Sequence, residues 1–103
     1  MATLAFTEDA LAHIRAIGRY TEQTWGVTQR NAYLGKIFSG CERIRQSPDK
    51  GKFRAELDEG LRSLRVEKHV IYYYVHRTQR REEVRIIGVL HGRMEPSLHI
   101  RVQ

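Results

Sequence analysis

Two runs near the end of the chain constrain its fold more than anything else in it. Residues 61–75 read Leu-Arg-Ser-Leu-Arg-Val-Glu-Lys-His-Val-Ile-Tyr-Tyr-Tyr-Val, and residues 84–96 read Val-Arg-Ile-Ile-Gly-Val-Leu-His-Gly-Arg-Met-Glu-Pro. β-Branched and aromatic side chains at this density suit a pleated surface better than a helix. We expect a strand over 61–66, a tight turn at Glu67-Lys68, a strand over 69–76, a charged hairpin loop over 77–83 and a strand over 84–90. The stretch 70–75 is apolar on both faces, which suits a central strand covered on both sides.

The first half carries a different period. Residues 2–6 alternate weakly and read as a short strand with Leu4 and Phe6 on one side. Thr7 is then a good helix N-cap, with Glu8 and Asp9 in the first turn, where the helix dipole favours negative charge. Leu11, Ile14, Gly18, Thr21 and Trp25 follow at helical spacing, and Gly26 ends that helix. Thr28 is placed to cap a second helix with Leu34, Ile37, Phe38, Cys41 and Ile44 on its apolar face. Ser47-Pro48 stops it. Trp25 is expected in the core or as a lock between the helices. Phe53 and Leu57 are expected to anchor the polar connector 48–60. The resulting order, β-α-α-β-β-β, is an α+β fold: an N-terminal strand, then a two-helix antiparallel hairpin packed on a C-terminal antiparallel sheet.

At 103 residues the chain supports one domain, spanning 1–103, with a modest core. No run approaches the roughly 18 apolar residues a membrane helix needs, and the N-terminus shows no signal-peptide pattern. The single cysteine, Cys41, cannot form an internal disulfide, so a reducing cytoplasm is the expected compartment. It falls on an apolar stripe and reads as a small buried hydrophobe. Net charge is +6, and arginine outnumbers lysine 14 to 4, which favours planar contacts to carboxylate or phosphate. Nucleic acid, ribosomes and an acidic protein all remain open as targets of such a surface. The five histidines lack metal-ligand spacing, and no phosphate-cradling glycine loop or carboxylate pair stands out, so neither metal nor cofactor is expected.

The element order resembles the RelE/ParE toxin superfamily. The run Leu61-Arg-Ser-Leu-Arg-Val followed by His69-Val-Ile-Tyr-Tyr is similar to that family's strand, tight turn and "x-Ile-Phe/Tyr-Tyr" strand. The ending Val89-Leu-His-Gly-Arg-Met-Glu-Pro96 is similar to the usual ParE ending, Val-Leu-His-x-Arg-Met-Asp-Pro, with Glu95 as the departure. The resemblance implies a cytoplasmic toxin of a type II toxin–antitoxin pair. Such a toxin is neutralised by direct binding of a ParD-like antitoxin, in an even-numbered hetero-oligomer. It inhibits DNA gyrase without catalysis. The RelE-type relatives imply the alternative, a ribosome-dependent mRNA endonuclease. A third reading is an interaction module that keeps the fold without toxicity.

Within this frame His91, Arg93, Met94 and Glu95 are the candidates for target contact, at the end of the last strand. The competing reading makes the arginine a solvated charge and Met94 a core plug. Arg62 and Arg65 fall on opposite faces of one strand, one lying over apolar side chains and the other free for an acidic antitoxin segment. Tyr72 and Tyr74 share the face opposite Tyr73. With the two arginines they are the candidate antitoxin contacts, although core packing with hydroxyls at the rim is the default. For the endonuclease reading His91 would be the acid or base and Arg62, Arg65 and Tyr72 its stabilisers; the sequence offers that histidine no clear partner.

Overall fold

A computed structural model describes residues 2–102. The elements run β1 (Thr3–Phe6), α1 (Glu8–Trp25), α2 (Val27–Gln46), β2 (Lys52–Phe53), β3 (Arg62–Val66), β4 (His69–Arg77) and β5 (Glu82–His91). Short 3-10 turns occupy Pro48–Lys50 and Pro96–Leu98. The five strands form one sheet in the order β1-β5-β4-β3-β2. β1 runs parallel to β5 and the other neighbours pair antiparallel. β4 lies at the centre, as its two-sided apolar sequence requires. The two-residue β2, inside the connector read as polar loop, is an addition to the expected order.

The helices begin and end where local chemistry allows. Thr7 caps α1, its hydroxyl accepting from the Ala10 N–H at 3.1 Å. Gly26 closes α1 by donating its N–H to Glu22 O at 2.8 Å, and its own carbonyl opens α2 by accepting from Arg30 N–H at 3.0 Å. One residue therefore joins the helices, at a φ of 93°, where glycine is strongly preferred. The expected Thr28 cap is corrected by this: a one-residue joint leaves Thr28 inside the first turn, and α2 has no side-chain cap.

The hairpin buries Ala10, Ile14, Ile37, Cys41 and Ile44 against Val66, Ile71, Tyr73, Val84, Ile86 and Val89 of the sheet. Each large side chain so buried contributes about 1.5–3 kcal/mol. Close approach is part of this packing. A Cβ on Gly51 would sit 2.2 Å from the Tyr73 hydroxyl, which accepts from the Gly51 N–H and donates to Pro48 O. Two expectations for apolar residues are overturned. Trp25, the last residue of α1, is 71% exposed, and Phe53 is 57% exposed beneath the Arg62 guanidinium, 3.8 Å from its ring centre.

The opposite face of the sheet has its own cluster, Leu61, Tyr72, Tyr74, Ile87, Leu90 and Ile100, with Leu57 and Val70 at its rim. No helix covers it. The connector supplies Leu57 and Leu61, and the C-terminal segment supplies Ile100. Leu57 is thus an anchor as expected, on the face away from the helices.

Candidate functional site

A single extra residue sets the geometry of the site. Arg77 pairs with Glu82 beside the hairpin turn, so an unbroken ladder would put Leu90 opposite His69. The ladder shifts between Tyr72/Gly88 and Tyr73/Ile86, leaving Ile87 as a bulge, and His91 arrives opposite His69 instead. Both rings then stand on the helix-covered face, centroids 5.4 Å apart and nearly perpendicular. Tyr33, from α2, completes the cluster: its hydroxyl lies 2.5 Å from His69 Nδ1 and 3.3 Å from the Lys68 N–H. His91 Nδ1 accepts from the Arg93 N–H at 3.1 Å.

These residues floor a groove of about 710 Å³ at the open end between hairpin and sheet, walled by Tyr20, Thr21, Trp25, Gln29, Lys36, Glu67 and Lys68. Tyr20 and Trp25 are 67% and 71% exposed there. Burial, then the neighbouring His91, pushes the His69 imidazole down to about 4, so it is neutral near pH 7. Burial likewise raises the Tyr33 hydroxyl above its usual value.

Half of the arginines are already paired with carboxylates: Arg30 with Glu22, Arg45 with Glu42, Arg54 with Glu56, Arg62 and Arg77 with Asp49, Arg85 with Glu83, and Arg101 with Asp9. Of the cations lining the groove, Lys36 is paired with Glu67 at 3.3 Å and Lys68 has no carboxylate partner among the described residues; Arg65 and Arg93, outside that lining, have none either. Arg65 also lies against the turn after β5, its Nη1 3.1 Å from where a side chain on residue 92 would begin.

The candidates from sequence divide accordingly. His91 is in the groove, while Arg93, Met94 and Glu95 stand on the following turn. There Met94 is 38% exposed rather than plugging the core, and Glu95 accepts from the Ser97 hydroxyl. Arg65 joins them. Arg62 sits at the other end of β3, bonded to Asp49 and Gly51 backbone oxygens. Tyr72 and Tyr74 are 3% and 7% exposed on the opposite face, their hydroxyls meeting Arg54 and Asp58. Reaching them requires the 54–61 connector to move aside. His69 and Tyr33 went unremarked in the sequence because the bulge that pairs the histidines leaves no mark in residue spacing. Among the described residues no group of three or more potential ligands could hold a metal. No described helix is long and apolar enough to cross a membrane.

A helical hairpin on this mixed sheet is the architecture of RelE/ParE-like toxins. It superposes with a TM-score of 0.74, at 20% identity, on a chain of the chromosomal ParDE system from P. aeruginosa, covering 88% of this chain and 96% of that one. A YoeB/ParE toxin from Agrobacterium tumefaciens superposes with a TM-score of 0.59 at 15% identity, over 86% and 97% of the two chains. The chain belongs to the ParE toxin family of type II toxin–antitoxin systems, whose family model matches residues 4–96. It is 30% identical to Toxin ParE of Escherichia coli over 95 residues, 92% of this chain and 89% of that protein. It is 33% identical to Toxin ParE1 of Caulobacter vibrioides over 91 residues, 88% and 90% of the two.

Proposed function

We propose that this ParE-family toxin inhibits DNA gyrase by binding, without catalysis, and is held inactive in the cytoplasm by a ParD-like antitoxin in an even-numbered hetero-oligomer. The observation that carries the reading, beyond family membership, is the exposed aromatic surface beside a groove at one end of the sheet, with the unpaired Lys68 in its lining. Exposed Tyr20 and Trp25 beside a partly apolar groove are what a partner would cover. An amphipathic, acidic antitoxin segment lying there would also mask His91, so neutralisation and target contact compete for one surface. His91, Arg93, Met94 and Glu95 meet the target; Arg65, against the same turn, steers the acidic antitoxin.

The RNase alternative is less well supported. Arg62 and Tyr72, two of the stabilisers it would use, lie at the far end of β3 and on the opposite face from His91. His69 gives His91 a neighbour, but a neutral, weakly basic one.

Incubating the purified toxin with gyrase and plasmid tests the proposal. Supercoiling should stop, with linear DNA trapped, and the antitoxin should restore it. An unaffected gyrase at excess toxin, with mRNA cut on ribosomes instead, would replace this reading with the nuclease one.

A further inference from the structure

The hydrogen bonds that orient the two groove histidines also fix which nitrogen His91 offers to a ligand as a donor. His91 Nδ1 accepts a backbone N–H, so its proton sits on Nε2. The Tyr33 hydroxyl accepts from the Lys68 N–H and shares a hydrogen with His69 Nδ1, in a direction set by the His69 tautomer. Among the described residues neither Nε2 has a hydrogen-bond partner, and no buried side-chain nitrogen or oxygen lacks one, so both Nε2 atoms meet solvent. His91 thus presents an Nε2–H donor, beside the accessible Nε2 of His69.

A donor on the floor, an unpaired ammonium on the rim and exposed ring faces on the wall describe one chemistry. We propose that the groove takes a nucleotide unit of single-stranded nucleic acid, its phosphate on the Nε2–H of His91 and the Lys68 ammonium, its base against Trp25 or Tyr20. The groove's volume of about 710 Å³ lies in the range of small-ligand sites, roughly 300–1,000 Å³. Its one acid, Glu67, is engaged by Lys36. A protein carboxylate would use the same donors but needs no stacking platform. The inference treats the groove as the toxin's working end, as above, and adds that nucleic acid itself is touched there.

Trp25 is the only tryptophan and stands in the groove wall, so its fluorescence reads occupancy directly. The purified toxin would be titrated with 5′-phosphorylated DNA and RNA tetranucleotides, with inorganic phosphate and with tetraglutamate. Saturable quenching by either tetranucleotide is expected, weakening with salt at a slope of about −0.7 per phosphate engaged. His91→Ala and, separately, the exposed Lys68→Ala should each weaken it at least about fivefold with unchanged circular dichroism, a loss of the size one phosphate contact gives. No quenching by nucleotides, quenching by tetraglutamate alone, or unchanged affinity in both variants would overturn the proposal. A toxin that binds tetranucleotides yet leaves gyrase untouched would keep this inference and sink the proposed target. Gyrase inhibition with no tetranucleotide binding would do the reverse.

Discussion

On the helix-covered face of β4 and β5, Ile71, Tyr73 and Ile86 are fully buried under α1 and α2, whereas His69 and His91, a step further along the same strands, are only half-buried. The backbone is the same ladder in both places. What changes is the cover. Over the middle of the sheet the hairpin presents Ile14, Ile37 and Cys41; over its end it presents Tyr33, Thr21 and the exposed rings of Tyr20 and Trp25. The first region is filled by apolar volume and holds the fold. The second keeps donors, rings and charge accessible, which contributes little to stability and is what recognition needs.

The largest expected effect separates the two regions. Ile86→Ala should cost about 2–5 kcal/mol in denaturant unfolding, because it opens a cavity in the closed region. Trp25→Ala should stay within about 0.5 kcal/mol of the parent, as exposed positions do. A loss above about 2 kcal/mol for Trp25→Ala would erase the distinction.

Tyr73→Phe is the next test, at about 1–3 kcal/mol. It leaves Pro48 O and the Gly51 N–H without the hydroxyl that bridges them at 2.8 and 2.9 Å. An unchanged midpoint would mean that water replaces the hydroxyl and that this end of the core is open too.

Acid should bear on the two regions through different groups. His69 and His13 are both held below the ordinary imidazole value of 6.5, chiefly by burial, so the unfolded chain binds more protons than the folded one once the pH drops below that value. Their contribution is complete above about pH 6.5 and is lost as the pH falls toward about 4, where His69 titrates. Glu42, Asp49 and Glu56 keep their charge through this window, held below the usual carboxylate range by hydrogen bonds from Arg45, Arg77 and Arg54. Denaturation midpoints measured from pH 7 to 5 should therefore decline in the parent and decline less in His69→Gln. Equal slopes would contradict the burial assigned to His69.

The smallest effect is chemical. Burial pushes the Cys41 thiol up to about 12, so a thiol reagent near neutral pH should modify the native protein only as fast as it unfolds.

How much of this was legible in the sequence depended on whether the signal was local. Thr7, Gly26 and Pro48 mark helix boundaries because each acts on its own backbone, and the alternation of Tyr72, Tyr73 and Tyr74 separated the sheet's two faces correctly. The ParE-like ending also pointed to His91 and Arg93, which do lie at the exposed end. The partnership of His91 with His69 was not legible, since a bulge adds a residue to one strand without changing any residue type. Trp25 misled because helical spacing gives direction around an axis but not whether anything covers the helix at its last residue. Tyr72 and Tyr74 carried no sign that the connector would fold over their face.

The most direct test of the division between a structural middle and a working end is the His91→Ala/Arg93→Ala variant in the gyrase supercoiling assay. This account predicts an unfolding midpoint close to the parent's and gyrase inhibition lost or reduced by at least about tenfold, a transition-state or binding deficit of about 1.4 kcal/mol or more. Full inhibition by a folded double variant would contradict it.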